Sequence, residues 1–366
     1  MRILVLFGGE SVEHEISIIT ANQVMNALKI NHTVIPVYIS KDNVLYYKEN
    51  LLNLEEYKNV ENITKRKNET RIVRKNKQFF LKLKGLRKKC FDYAFPIVHG
   101  KGMEDGTLLA YLKFKKIPVL GDNLSFYAVA QNKILTKRIL NDLKIRNSEF
   151  IEIDNKHFDN KLAFPMIVKP NSLGSSIGVK KVENEEQLEI AVEEALKYDK
   201  KVIVEEFVEN SKEYNISVAK IKGEIVTSDI EEVIKSSDVL DYSQKYEGGS
   251  KIKGMASTKR VFPALIEESI KKEIEDIAKL IYKSFDASGV IRIDFLYNGK
   301  VYVNEINSIP GSYSYYLWKR KLDFVELLDS VIENGKREYF KENKLIKTIN
   351  KMVIFEKYKS RNSKIK

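Results

Sequence analysis

The chain has 366 residues, a net charge of +12 and a single cysteine, Cys90. That length suits two or three compact units with full cores, one cysteine excludes an intramolecular disulfide, and no apolar run is long enough to span a bilayer. Residues 1–7 are too short an apolar run for a signal peptide, so a reduced, cytoplasmic setting is expected. The charge is uneven. Residues 65–89 hold twelve basic side chains against one acid, and residues 341–366 hold nine against two, which leaves the remainder at about −6. The basic excess reads as two solvated peripheral stretches rather than a specific nucleic-acid surface, with a weak polyanion contact left open.

In chain order, residues 2–7 read as a strand, Gly8-Gly9-Glu10-Ser11 as a tight turn, and residues 12–28 as a helix, the opening of a parallel α/β unit. The turn lacks dinucleotide-fingerprint spacing, which argues against a nicotinamide cofactor. Glu13 and Glu15 crowd the first helical turn, where the positive helix end favours carboxylates, and this alone would explain them. Residues 33–39 and 91–98 read as further strands, with the basic segment between them as an elaboration at the sheet edge. His99 then opens the loop His99-Gly100-Lys101-Gly102-Met103-Glu104-Asp105-Gly106 at a strand's carboxyl end, where open α/β sheets bind ligands. Residues 117–121 read as a short strand and residues 124–143 as one helix carrying Lys133 and Lys137.

Lys169 ends an apolar strand and precedes the glycine- and serine-rich loop 171–178, which offers unhindered N–H groups and hydroxyls to a phosphate without being a Walker-type P-loop. A helix over 185–198 follows, then strands over 201–208, 214–221 and 224–233. The polar stretch 238–258 with Tyr242, Lys245 and Tyr246 is long enough for a lid. Pro263 starts a helix striped by Ile266, Ile270, Ile274, Ile277 and Ile281, and a last helix covers 323–334.

Between those helices, Ile291 to Asn307 reads as two strands joined by Asn298-Gly299, the signature of a two-residue hairpin turn. Such a turn would set Arg292 opposite Glu305 and Asp294 opposite Val303. The period of two would put Ile291, Ile293, Phe295, Tyr302 and Ile306 on the apolar face, and Arg292, Asp294, Glu305 and Asn307 on the other. Two carboxylates and an amide on one face suit one or two hard cations, magnesium with a nucleotide being the natural occupant; a solvated surface ion pair explains the same residues.

The motifs GGESVEHEIS, HGKGMEDG, IVKPNSLGSSIGV, DYSQKY, RIDF and NEINSIPG, in this order, resemble the D-alanyl-D-alanine ligases of the ATP-grasp superfamily from residue 2 to about residue 328. The resemblance implies an amino-terminal α/β domain over 1–122 and a two-subdomain ATP-grasp fold over 123–206 and 207–340, with 341–366 a basic tail. It further implies that Lys133, Lys169 and Ser176 meet the ATP phosphates and that Glu205, Phe207, Val208 and Glu213 line the adenine and ribose site. Asp294, Glu305 and Asn307 would hold two magnesium ions, or manganese in their place. Arg292 and the Gly311 N–H would stabilise an oxyanion, Glu13 would receive the first substrate's ammonium beside His99, Ser175 and Tyr246 would tie Glu13 to the lid, and Lys245 would reach the transferring phosphoryl group.

The activity implied is ATP-dependent joining of two D-alanines through an acyl phosphate, for peptidoglycan precursors, in a homodimer. One position departs from the family pattern. The serine that follows the metal asparagine and binds the second substrate's carboxylate is replaced by Tyr316, so an acceptor such as D-serine or another amino acid or amine is the alternative. A noncatalytic polyanion-binding protein is the rival of a different class, and the set Lys169, Arg292, Asp294, Glu305 and Asn307 argues against it.

Overall fold

The computed structural model describes residues 1–100, 102–154, 161–234, 259–347 and 357–358. The first sheet has the order Leu45–Tyr46, Thr33–Ile39, Arg2–Gly8, Tyr93–Pro96. Arg2–Gly8 is parallel to both of its neighbours, and Leu45–Tyr46 adds an antiparallel edge. Ile3 to Phe7 are wholly buried. An unbroken apolar run is what a parallel strand covered on both faces requires. The helix His14–Leu28 packs along this sheet through Ile18, Ala21, Val24, Met25 and Leu28.

Two expectations in this region change. The strand expected over 91–98 is confined to Tyr93–Pro96, because Lys88–Phe91 pairs into a separate antiparallel sheet with Gln78–Lys82 and Arg71–Lys75. The basic segment is thus a three-stranded meander rather than an unpatterned elaboration. The strand expected over 117–121 reduces to one bridge between Val119 and Ala94.

The helix expected over 124–143 is two helices, Leu124–Ala130 and Lys133–Asp142. Asn132 breaks it by accepting the Leu135 N–H at 3.0 Å, and Asn123 caps the first helix by accepting from Phe126 at 2.8 Å. An asparagine side chain that competes for the free N–H groups of a new helix turn ends the previous helix. Lys133 is thereby fixed at a helix start, its own N–H bonded to the Asn171 carbonyl.

The second sheet, Lys180–Val182, Met166–Pro170, Val202–Glu206 and Phe150–Ile153, is antiparallel throughout and covered by the helix Glu185–Ala195. It has a core of its own, built from Met166, Val168, Leu188, Val192, Val202 and Val204 among others. The third sheet runs Arg260–Val261, Glu224–Val233, Lys212–Ile221, Ile291–Tyr297, Val301–Asn307, again antiparallel. Glu268–Ser284 lies against it, burying Ile274, Ala278, Ile281 and Tyr282; it starts after Ile266 rather than at Pro263. The last helix, Phe324–Lys344, starts on an Asp323/Glu326 capping box and runs ten residues past the expected Asn334.

The hairpin register also differs from expectation. Tyr297 pairs with Val301 across a three-residue connection in which Gly299 has φ +95°, and a bulge at Asn304 adds one more residue. Arg292 therefore faces Asn307, and Asp294 faces Glu305 directly. The bulge explains why the same four polar residues still share a face. It shifts the phase of the second strand, so Val301 and Val303, not Tyr302, join Ile306 in the core.

Candidate active site

The polar face of the hairpin forms one wall of a cavity of about 270 Å³, also lined by Glu13, His99, Glu104, Lys133, Ser175, Glu213, Arg260 and Gly311. A larger cleft of about 790 Å³, between the basic sheet and the last helix, contains none of the residues expected to act. Volume is a poorer guide here than the convergence of ionisable groups.

On the hairpin, Arg292 grips Asp294 with two parallel bonds, Nε to Oδ1 at 2.7 Å and Nη2 to Oδ2 at 2.8 Å, and Asn307 donates to Asp294 Oδ2 at 3.1 Å. Arg292 is buried, which works against its charge, but Asp294 outweighs this and raises its pKa well above the ordinary value. Glu305 lies 3.0 Å from Lys133 Nζ, so the start of the Lys133–Asp142 helix reaches the hairpin. Among the described residues no three His, Cys, Asp or Glu side chains gather as a metal cluster.

The loop between the strand Met166–Pro170 and Lys180 closes a second wall. Ser175 and Ser176 have φ of +55° and +58°, a left-handed geometry that turns the loop back toward the first sheet. Ser175 Oγ donates to Glu13 Oε1. Gly174 permits this approach: a Cβ there would lie 2.8 Å from Glu13 Oε2. Burial raises the Glu13 pKa, Glu104 adds to the effect, and His99 and Ser175 oppose it. His99 is itself held down to about 4 by burial, so it is neutral at physiological pH, with Nε2 3.1 Å from Thr20 Oγ1. Glu104 accepts from the Gly100 N–H at 3.0 Å, Ser308 Oγ at 2.7 Å and the Ile309 N–H at 3.0 Å. It ties the histidine loop to the segment after the hairpin, where Gly311 opens a turn with Ser312, Tyr313 and Ser314 at φ near +50°.

Behind this cavity lies a buried charge cluster. Glu205 Oε2 is 3.0 Å from Lys169, 3.5 Å from Lys137 and 3.0 Å from Ser148 Oγ, while Oε1 is buried without a partner among the described residues. Burial works against the carboxylate, but Lys137 and Lys169 prevail and hold it at about 2. Lys137 is lowered to about 8 by burial, with Glu205 opposing. The bulge residue Asn304 joins this cluster to the hairpin, its Oδ1 3.3 Å from Lys169 Nζ.

Of the residues named from the sequence, the cavity brings together Glu13, His99, Lys133, Ser175, Glu213, Arg292, Asp294, Glu305, Asn307 and Gly311. Lys169 and Glu205 adjoin it, Phe207 lies beneath Lys181 at 4.6 Å, and Val208 is buried beside them in the chain. Tyr316 is not free to face the cavity as a donor: its hydroxyl donates to Glu231 Oε1 at 3.0 Å. Lys245 and Tyr246, with the expected lid, lie outside the described residues. Lys137, named above only as a neighbour of Lys133, joins the site, and so do Asn304, Arg260 and Glu231, which the sequence does not mark. Lys137 carries a signal, four residues after Lys133 on one helix face; the other three come together only through strand pairing.

The family model described as D-ala D-ala ligase N-terminus matches residues 2–122, and the one described as D-ala D-ala ligase C-terminus matches residues 140–333. The chain belongs to the D-alanine–D-alanine ligase family. A D-alanine–D-alanine ligase of Thermosipho melanesiensis is 38% identical over 355 residues, covering 94% of this chain and 96% of that one. Among solved structures, the VanG D-Ala:D-Ser ligase from Enterococcus faecalis is 29% identical with a TM-score of 0.76, covering 91% of this chain and 99% of that one. The D-alanine–D-alanine ligase from Helicobacter pylori is 28% identical with a TM-score of 0.73, covering 91% and 98%. The amino-terminal α/β sheet followed by two antiparallel sheets flanking the charged cavity is therefore the ATP-grasp architecture of this family. No helix among the described residues is long and apolar enough to cross a membrane.

Proposed function

We propose that this ligase-family member joins two D-alanines into D-alanyl-D-alanine at the expense of ATP, in the cytoplasm, for peptidoglycan precursors. The observation that carries the reading is one cavity holding the Arg292, Asp294, Glu305 and Asn307 face opposite the Glu13 and Ser175 pair. The proposed unit 1–122 would take the parallel sheet and the basic meander, and the units 123–206 and 207–340 one antiparallel sheet each. The relatives named D-alanine–D-alanine ligase support the activity.

The donor set fits magnesium. Asp294 and Glu305 stand directly across one ladder with an amide beside them, all oxygen donors, and a small count of carboxylates is what a magnesium site completed by nucleotide phosphates needs. Bound there, magnesium would neutralise charge on the phosphates as the γ-phosphoryl group is attacked. Every other part falls to the chain. Lys133 and Lys169 supply positive charge for the phosphates, the loop around Ser176 supplies N–H groups, and the unpartnered Glu205 Oε1 is an acceptor for an adenine amine, with Phe207, Val208 and Glu213 alongside.

Glu13, held by Ser175, receives the first D-alanine's ammonium, and neutral His99 adds no competing charge. The first carboxylate takes the γ-phosphoryl group, because a free carboxylate has no usable leaving group. The second amine then displaces phosphate, and Arg292 with the Gly311 N–H meets the oxyanion that forms. Lys245 and Tyr246 close over these groups in this reading, and the working form is a homodimer.

A D-serine acceptor is the second reading, favoured by the occupied Tyr316 hydroxyl and by the likeness to the D-Ala:D-Ser ligase. The test is phosphate release from ATP and magnesium across D- and L-amino acids, singly and in pairs, with products identified by mass. D-alanine alone giving the dipeptide establishes the first reading. Turnover restricted to D-alanine with D-serine establishes the second, and no turnover with any pair rejects both.

A further inference from the structure

The cavity wall beside Arg292 carries an ion pair joining strands far apart in the chain. Arg260 directs a single nitrogen, Nη1, at both oxygens of Glu231, at 2.8 and 2.9 Å. Glu231, 1% exposed, also accepts from Tyr316 at 3.0 Å and from Asn215 Nδ2 at 3.0 Å. The Tyr316 ring lies 5.6 Å from the guanidinium carbon, so it floors the cation as well as fixing its counter-charge.

Donor accounting then separates the cavity's cations. A guanidinium has five N–H donors in a planar fork. Arg292 commits the Nε and Nη2 edge to Asp294, and Lys133 faces Glu305. Arg260 commits Nη1 alone: its Nε is buried with no partner among the described residues, and 24% of its side chain stays open on the cavity wall. An amino-acid acceptor keeps its carboxylate ionised through the whole reaction, in a cavity already lined by Glu13, Glu104, Glu213, Asp294 and Glu305. It needs a charged donor there. Tyr316 stands where the family places a serine for that carboxylate, but its proton is given to Glu231.

We infer that Arg260 receives the carboxylate of the second amino acid through the part of its guanidinium that stays open beyond the Glu231 pair, with Glu231 and Tyr316 as the positioning residues that hold the fork. The inference rests on the ligase reading above. Charge-assisted bonds of this kind, once lost, weaken binding by about 10- to 100-fold.

The experiment compares the full-length protein with Arg260→Gln and Tyr316→Phe. Initial rates are measured with ATP and D-alanine over a range wide enough to separate donor from acceptor saturation, and with D-alaninamide as an acceptor that lacks the carboxylate. Arg260→Gln should raise the acceptor KM by about 10- to 100-fold while the KM values for ATP and donor stay within about twofold. The preference for D-alanine over D-alaninamide should collapse. Tyr316→Phe keeps the ring but drops the Glu231 bond, and should raise the acceptor KM alone by a few-fold. An unchanged acceptor KM and preference in Arg260→Gln, or all three KM values rising together, overturns the assignment. Should Arg260→Gln fail to fold, Tyr316→Phe decides on the same criterion. Absence of dipeptide from the parent protein would instead reject the ligase reading itself.

Discussion

Replacing Glu205 by Gln removes the carboxylate that holds two ammonium groups, Lys137 and Lys169, in the interior. Glu205 is buried and yet held at about 2 against an ordinary value of 4.5, a difference worth roughly 3 kcal/mol at neutral pH. Its folded pKa is depressed, so this contribution is present above pH 4.5 and is lost as pH falls toward 2. Breaking a buried pair from one side costs about 3 to 5 kcal/mol, because the partner is left as an uncompensated charge. Both routes give the same order of destabilisation for Glu205→Gln at pH 7.

The pH dependence is the sharper test. Lys137 is lowered to about 8 even with Glu205 present, so Gln at 205 lowers it further. Above pH 8 the lysine is increasingly neutral in both proteins, and the cost of Gln should shrink as pH rises toward 10. Urea unfolding followed by circular dichroism at pH 7 and pH 9.5 measures this. A penalty below about 0.5 kcal/mol at pH 7, or one of equal size at both pH values, would refute the account of the cluster. In addition, Lys137→Met combined with Glu205→Gln should cost less than the sum of the two singles, since the pair interacts directly.

Arg292→Ala should lower kcat by about 100-fold or more while ATP affinity changes little, because the charge it answers develops only during reaction; equal losses in turnover and ATP binding, the latter by titration, would remove the oxyanion role. Gly174→Ala sets a methyl within 2.8 Å of Glu13 and should raise the donor KM about tenfold with little change in melting temperature, as read by initial rates beside a thermal melt. His99 is held at about 4 by burial; with its folded pKa below the ordinary 6.5, the protein should lose up to roughly 3 kcal/mol as pH falls from 6.5 toward 4. Glu13 and Glu104, both raised, lean the other way, so the measure is the difference in acid slope between parent and His99→Asn, which should lack the loss; identical slopes would refute it.

How far the site was legible depends on how local its signals are. The hairpin face could be read because a period of two sorts the side chains within each strand, and because the two one-residue offsets of the pairing cancel in parity. Arg292, Asp294, Glu305 and Asn307 do share a face, although the pairing expected from Asn298-Gly299 is offset by the longer connection and by the bulge at Asn304. That bulge was not legible, since Asn304 sits in an alternating run and nothing local marks it as the extra residue. Its effect is still functional in shape: it turns a diagonal pair of carboxylates into a directly opposed one and gives Lys169 a contact. Asn132 was similarly misread within a helical pattern, because its capping bond depends on chain direction rather than on hydrophobic spacing.

The charged partners Glu231 and Arg260 mark the limit of such reading. They are 29 residues apart, on strands of the same sheet separated in sequence by the stretch expected to be a lid, and Tyr316 reaches them from beyond the hairpin. Each has an ordinary local explanation as a solvated strand residue. Only the sheet order, with Arg260–Val261 at its edge beside Glu224–Val233, sets the cation against the carboxylate and the ring above both. The substitution of tyrosine for serine, read alone, suggests only a changed acceptor. Placed in the fold, it points to a different division of labour: the tyrosine orders an ion pair, and the arginine of that pair holds the uncommitted donors.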